Sequence, residues 1–248
     1  MTTKFQNSIE CAVVFCGGKG SRLGLIGKKK NKSLLLVKNK PIIYYIICQL
    51  LKSKIKKIIL PLGFKGGDVK KYVKKNFNKD ISKFVFVDTG INTKLSLRIN
   101  KIKKFIPING STLLINGDTI FDFDLIKFNK SHIKSKKNIS LAMFKIKIDM
   151  GLIQIKNNKP LKFKKSIFIS NLSSNKDDFE AYSGLIFLKS TYLKKFRFNS
   201  KRDFELEMFN SSINSDNVNL FRIDKNICFP IDNIKNLDYA NTQLKLID

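Results

Sequence analysis

The sequence predicts an α/β fold in which a mostly parallel sheet is covered by helices on both faces. Three observations carry this. Short apolar runs alternate with helix-like stretches from residue 11 to residue 118, the order expected of parallel strands joined by crossover helices. The chain has 248 residues, 43% hydrophobic and 27% charged. That is enough to bury a core without staples, and it excludes disordered, collagen-like and coiled-coil chains. Two of the apolar runs end in Gly17-Gly18 and Gly117-Asp118, and ligands of such sheets bind beyond the carboxyl ends of the strands.

The elements follow in order. Cys11–Cys16 is a short apolar run that enters a glycine loop, hence a buried strand. Pro41–Leu51 reads as a helix with proline near its start, where the missing N–H costs nothing. Ile55–Leu60 is a strand, Gly67–Phe77 a helix, Phe84–Val87 a strand, Thr93–Phe105 a helix and Thr112–Asn116 a strand. Beyond about residue 138 the texture changes. Ile139–Ile148, Leu152–Ile155, Leu161–Phe163, Ala181–Leu188, Val218–Ile223 and Cys228–Ile231 read as strands. Thr191–Phe196 and Phe204–Ser211 read as short helices, and Ile234–Leu246 as a closing one. This half is expected to extend the sheet and add an antiparallel piece over the pocket. Lys156–Lys165 and Ser170–Asp178 read as polar loops.

Charge sets the next constraint. Lys and Arg number 48 against 19 Asp and Glu, a formal net charge of +29. Only Arg22, Arg98, Arg197, Arg202 and Arg222 are arginines; the other basic residues are lysines spread along the chain. One reading is a nucleic-acid or anionic-surface binder. The other is coding bias, because Lys, Asn and Ile share A/T-rich codons and dedicated readers of nucleic acid favour the bidentate guanidinium. A positive field that attracts a polyanionic small substrate fits both.

Cys11, Cys16, Cys48 and Cys228 form no CxxC pair, and His132 is the single histidine. A Cys/His zinc site and a disulfide framework are therefore not expected. His132 lies in a lysine-rich stretch and is expected on the surface; the phenylalanines are expected in the core. Residues 1–10 hold no apolar signal-like run and the longest apolar runs fall far short of a membrane span, so a cytoplasmic protein without membrane insertion is expected.

The chemistry concentrates in a few places. Gly17-Gly18-Lys19-Gly20-Ser21-Arg22-Leu23-Gly24 follows the first strand directly. Glycines let backbone N–H groups approach phosphate oxygens, and Arg22 with nearby lysines would neutralise phosphate charge. The stretch is not a P-loop, since no glycine stands five residues before Gly27. Nor is it a dinucleotide fingerprint, since Leu23 occupies the third glycine position. Chemistry on phosphate esters needs an amide-rich loop, one or two cations and carboxylates that hold Mg²⁺ through oxygen. Gly17–Gly20, Arg22 and Lys32, and Asp118 with Asp232 supply each of these. The plain alternatives stay open at this point. Gly17-Gly18 could be a simple strand-to-helix turn, Lys32 one more surface lysine, Asp118 a helix cap and Asp232 a loop or cap residue. Asp122 and Asp124 read as helix-entry residues.

The ordered set Gly17-Gly18-Lys19-Gly20-Ser21-Arg22-Leu23, then Asn31-Lys32-Ser33-Leu34-Leu35, then Lys40-Pro41-Ile42 resembles the signature of the sugar-1-phosphate nucleotidyltransferases. Asn116-Gly117-Asp118 resembles that family's NGD segment. Val87-Asp88-Thr89-Gly90 with Thr93 and Arg98-Ile99 is similar to the glucose-1-phosphate cytidylyltransferase branch. Ile231-Asp232-Asn233 through Tyr239-Ala240 is similar to the glycero-manno-heptose-1-phosphate guanylyltransferase branch.

The resemblance implies a Rossmann-like mixed sheet of the nucleotide-diphospho-sugar transferase type. It implies one domain over residues 1–248, about 8–138 forming the nucleotide-binding half and about 139–248 the sugar-binding half. It implies transfer of NMP from an NTP, CTP or GTP favoured, to a sugar 1-phosphate with release of pyrophosphate, for surface-polysaccharide synthesis. Arg22, Lys32 and Asp118 would be catalytic. Gly17, Gly18, Gly20, Ser21, Asn116 and Gly117 would bind nucleotide. Lys165, Gly184 and Glu205 (or its neighbour Glu207) would bind the acceptor, although a cap role for the glutamate is equally open. Asp118 and Asp232 would hold Mg²⁺. No specific nucleic-acid partner is expected, and homo-oligomerisation is left open.

The sequence also departs from the family pattern. Asn31 stands where the signature has Pro, Lys94-Leu95-Ser96-Leu97 where a Gly-rich segment is usual, Lys164 for Glu, Ser166 for Pro and Tyr182 for Asn. These departures fall in base- and sugar-contacting regions. They keep three alternatives in view: a basic nucleic-acid binder, the same fold acting on a non-sugar phosphate such as phosphocholine, and an inactive relative.

Overall fold

The computed structural model describes residues 8–144, 147–148, 152–156, 159–164, 167–168, 180–198, 203–223 and 228–244. Its centre is a seven-stranded sheet. The strands are β1 (Cys11–Phe15), β2 (Lys57–Leu62), β3 (Phe84–Asp88), β4 (Ser111–Asn116), β5 (Ile139–Phe144), β6 (Ala181–Lys189) and β7 (Val218–Arg222). Their order is β7-β5-β6-β4-β1-β2-β3. β1 runs parallel to both β2 and β4, β2 parallel to β3, and β7 parallel to β5; β6 alone runs against its neighbours β4 and β5. The expected mixed, mostly parallel sheet is therefore present, and strands from both halves of the chain share it.

The helices are α1 (Gly24–Lys29), α2 (Ile42–Lys52), α3 (Gly66–Asn76), α4 (Leu95–Ile102), α5 (Leu125–Ser135), α6 (Ser190–Lys195), α7 (Phe204–Asn214) and α8 (Ile234–Gln243). Side chains alternate across a strand, and the core divides accordingly. Ala12, Val14, Ile58, Leu60, Leu113, Ile115 and Phe187 pack on one face with residues of α2, α3, α5 and α8. Cys11, Val13, Ile59, Leu114, Ile186 and Leu188 pack on the other with Ile99 and Ile102 of α4, Leu193 of α6, and Phe204 and Met208 of α7. Both faces are covered, so the parallel strands are apolar on both sides and read as unbroken hydrophobic runs.

Some expectations need correction. The helix expected over Thr93–Phe105 begins at Leu95 and closes in a 3₁₀ turn, Lys103–Phe105. The strand expected over Ile139–Ile148 is two pieces: β5, and Lys147–Ile148, which pairs with Ile167–Phe168. The polar loop at Lys156–Lys165 contains one arm of a hairpin, Leu152–Lys156 against Lys159–Lys164.

His132, expected on the surface, is 2% exposed. Its Nδ1 lies 2.8 Å from Ser140 Oγ and its ring stacks on Phe187. The reason is helical period: Leu125, Phe128, Asn129 and His132 share the buried stripe of α5, and the surrounding lysines occupy the other faces. Burial pushes the imidazole pKa down to about 4. No helix among the described residues is long and apolar enough to cross a membrane.

Candidate active site

The register of β1 with β4 sets Phe15 beside Asn116, so the two glycine-bearing strand ends lie side by side. Gly117 N donates to Phe15 O at 3.2 Å. A Cβ at Gly117 would run into Phe15 O and Ser33 Oγ, so only glycine lets the two loops approach. After β1 the chain passes Gly17, Gly18 and Lys19 and turns through Gly20 at φ +61°. Ser21 opens a 3₁₀ turn, Ser21–Leu23, that leads into α1. A Cβ at Gly18 would meet nothing within 4 Å, so that backbone faces open space.

Arg98 fixes this loop from beneath. It is 5% exposed. Nη2 donates to Gly17 O at 2.9 Å and Ile91 O at 3.3 Å; Nη1 donates to Leu62 O at 3.1 Å and to Thr89 Oγ1. A Cβ at Gly17 would overlap the guanidinium. These acceptors are neutral, and burial pushes the Arg98 pKa down, partly offset by Asp88. Arg98 was not among the site residues expected from sequence; its only signal was its place in the stretch Thr93 to Ile99.

Asn31 ties the second loop. Its Oδ1 accepts from Ser33 N at 2.9 Å, capping the 3₁₀ turn Lys32–Leu34. Its Nδ2 donates to Cys16 O at 2.8 Å and Phe64 O at 2.6 Å. The turn aims Lys32 inward. Lys32 Nζ is 2.5 Å from Asp118 Oδ2 and 2.9 Å from Asp232 Oδ1, and Arg22 Nη2 is 3.1 Å from the same Asp232 oxygen.

Asp118 and Asp232 meet because Cys228–Pro230 pairs antiparallel with Thr119–Phe121, and Ile231 N donates to Asp118 O at 2.9 Å. Neither carboxylate caps a helix. Asp124 caps α5, and Asn233 caps α8. Asp122 accepts from Gln49 Nε2 at 2.5 Å, away from this cluster.

Two cavities flank the cluster. The first, about 650 Å³, is lined by Gly17, Gly18, Ser96 and Arg98 among others. The second, about 840 Å³, is lined by Arg22, Tyr182, Gly184, Phe229 and Asp232 among others. Asn116, Asp118 and Glu205 line both, so the two spaces meet there. Gly184 has φ +80°, and a Cβ on it would sit 2.9 Å from Asn116 Nδ2. Asp203, not Glu205, caps α7, accepting from the N–H of Glu205 and Leu206. The half-buried Glu205 carboxyl is pushed up by burial and then by Asp203 and Asp118. Tyr182, against Phe209 at 5.3 Å, is pushed well above the usual phenol range by burial and then by Glu205. Glu207 lies two residues further along α7, among the residues around a separate surface hollow. Lys165 lies outside the described residues.

Two carboxylates that converge on one cation are a donor set that fits Mg²⁺, which takes one or two carboxylates and completes its shell with phosphate oxygens and water. No group of three or more His, Cys, Asp or Glu side chains that could hold a metal ion is present among the described residues.

The model of the nucleotidyl transferase family matches residues 11–152, more than half of the chain. The chain belongs to that family. Among its relatives is D-glycero-α-D-manno-heptose 1-phosphate guanylyltransferase of Campylobacter jejuni, 32% identical over 133 residues, 49% of this chain and 54% of that protein. Glucose-1-phosphate cytidylyltransferase of Salmonella typhimurium is 26% identical over 147 residues, 50% of this chain and 57% of that protein. The chain spans about half the length of the curated relatives it matches. The fold extends further. HddC from Yersinia pseudotuberculosis superposes with a TM-score of 0.67 at 20% identity, over 96% of this chain and 100% of that one. A Bacillus anthracis protein solved in complex with sucrose superposes with a TM-score of 0.73 at 18% identity, over 97% and 98%. The resemblance drawn from the motifs is thus borne out at the level of family and fold. This nucleotidyl transferase family member carries Gly17 to Asp118 inside the matched span, whereas Tyr182, Gly184, Glu205 and Asp232 lie beyond it and join the site through the fold alone.

Proposed function

We propose that this nucleotidyl transferase family member transfers NMP from an NTP to a sugar 1-phosphate. A phosphate oxygen of the acceptor attacks the α-phosphorus, the bond to the bridging oxygen of the β-phosphate breaks, and pyrophosphate leaves. The acceptor phosphate is already an anion at neutral pH, so no general base is needed. The barrier falls by positioning and charge stabilisation.

Gly17, Gly18, Gly20 and the Ser21 turn cradle the nucleotide with Asn116 and Gly117, the base entering the first cavity. Arg22 neutralises the β- and γ-phosphates and Lys32 the α-phosphate. Gly184 and Glu205 receive the acceptor in the second cavity, and Lys165 is the candidate for its phosphate. Asp118 and Asp232 would hold Mg²⁺, which would offset negative charge on the reacting phosphates. CTP or GTP is the favoured donor, in line with the two kinds of relative, and the product would feed surface-polysaccharide synthesis in the cytoplasm.

The observation that carries this reading is one ammonium, Lys32 Nζ, held between two carboxylates, of which Asp118 lines both cavities and Asp232 the second. The test is pyrophosphate release with Mg²⁺ across CTP, GTP, UTP, dTTP and ATP. Each is paired with glucose, mannose, heptose and amino-sugar 1-phosphates, with phosphocholine as a non-sugar acceptor and Asp118→Ala as control. Turnover with one pair, lost in the control, supports the reading. Silence across the panel from folded protein rejects it.

The net charge of +29 favours a second reading, general nucleic-acid binding. Micromolar or tighter binding to random duplex at physiological salt would support it; weak binding abolished by moderate salt would not.

A further inference from the structure

Three buried side-chain polar atoms have no hydrogen-bond partner among the described residues: Ser96 Oγ, Ser183 Oγ and Asn129 Oδ1. Asn129 lies on α5, remote from the cluster. The two serines flank it. Ser96 is 1% exposed and lines the first cavity; Ser183 is 3% exposed and lines the second. A buried hydroxyl without a partner forfeits its hydrogen bond to water and gains nothing in return. One such atom on each of two adjoining cavities points to bonds that a bound molecule completes.

The backbone supports this. Ser96 sits in the first turn of α4, where a serine hydroxyl commonly bonds back to its own helix end, and here it does not. It stands two residues before Arg98, a buried cation whose side-chain partners are carbonyls and a hydroxyl. The Ser96 hydroxyl is a free donor, and the atom expected opposite it is an acceptor, a ring nitrogen or carbonyl oxygen of a base. Ser183 lies where the register of β6 with β5 shifts, between Tyr182 and Ile186, beside Gly184 at φ +80°. Such irregularities re-aim side chains next to sites. Tyr182 and Glu205 also line this cavity, and neither side chain has a hydrogen-bond partner among the described residues. Three side chains with unmatched oxygens around one space suit a molecule with several hydroxyl groups.

We propose that Ser96 and Ser183 are specificity-determining residues, Ser96 for the nucleotide base and Ser183 for an acceptor with free hydroxyls. This rests on the transfer reading above. The experiment is crossed. Ser96→Ala and Ser183→Ala are each measured with five NTPs at one fixed acceptor, and with the acceptor panel at one fixed NTP. Binding of the preferred NTP is measured in parallel by calorimetry.

Ser96→Ala is expected to lower kcat/KM for the preferred NTP about 10-fold, chiefly through KM, with the other NTPs changed less than about 3-fold and the ranking of acceptors intact. Ser183→Ala should give the mirror result, and Ser183→Thr, which keeps the hydroxyl, should restore the acceptor ranking. Ser96→Gly and Ser183→Gly serve as second removals should either alanine variant fail to fold. A variant that slows every substrate by one factor, or that alters ranking on the opposite side, overturns the proposal alone. Absence of NTP binding and turnover in the wild type overturns the transfer reading and this proposal together.

Discussion

Lys32 Nζ lies 2.5 Å from Asp118 Oδ2, and the same ammonium lies 2.9 Å from Asp232 Oδ1. Its side chain is only 14% exposed. A lysine therefore occupies the point on which both candidate metal ligands converge. Two cations cannot share that point, so Asp118 and Asp232 would be free to hold a divalent ion only with the lysine withdrawn from between them. Lys32→Met is expected to lower kcat about 10²-fold or more and, without nucleotide, to bind Mn²⁺ about 10-fold more tightly than wild type by electron paramagnetic resonance. Equal Mn²⁺ affinity in the two proteins would contradict this.

Removal of the guanidinium beneath Gly17 should cost stability and nucleotide affinity together. Arg98→Met leaves the carbonyls of Gly17, Leu62 and Ile91 without that donor. The expected loss is about 2–4 kcal/mol, read by urea unfolding, with a rise in KM for the NTP of about 10-fold. A KM within twofold of wild type would show that the loop holds its shape without Arg98.

His132 predicts a pH dependence of stability. Its folded pKa, about 4, lies below the value near 6.5 of an exposed imidazole. The unfolded chain binds the proton more readily, so stability is full above about pH 6.5 and is lost as pH falls toward 4. The loss is on the order of 3 kcal/mol. His132→Gln, unable to titrate, should show a flatter profile in that window in unfolding measured at pH 4.5 and pH 7; parallel profiles would refute the assignment.

Gly184→Ala places a side chain at φ +80° and against Asn116 Nδ2. We expect a loss of about 1–2 kcal/mol and a KM that rises several-fold for the acceptor while that for the NTP moves less. Equal changes in both would argue that Gly184 serves the whole seam.

Much of this was legible in the sequence, for physical reasons. Parallel strands covered on both faces must be apolar throughout, so β1 to β4 stand out as short hydrophobic runs. Loops that approach phosphates or one another need glycine, so Gly17-Gly18 and Gly117 mark two strand ends. Other features had no local signal. Arg98 is one basic residue in a lysine-rich chain, and its role depends on carbonyls brought from Gly17 and Leu62. His132 was misread because the composition of its neighbours was weighed over the period of α5. Whether Glu205 or Glu207 served as cap or acceptor contact could not be read until the helix start was fixed, which made Asp203 the cap. α1, a single six-residue stretch of mixed polarity, was not assigned as a helix, and α5 was marked only by its entry residues Asp122 and Asp124.

The ribbon that joins Thr119–Phe121 to Cys228–Pro230 also sets a timetable for synthesis. Lys32 and Asp118 leave the ribosome well before Asp232, and the sheet strands around them can pair while translation continues. Until Asp232 follows, the nascent chain carries a half-built centre, a lysine with one carboxylate.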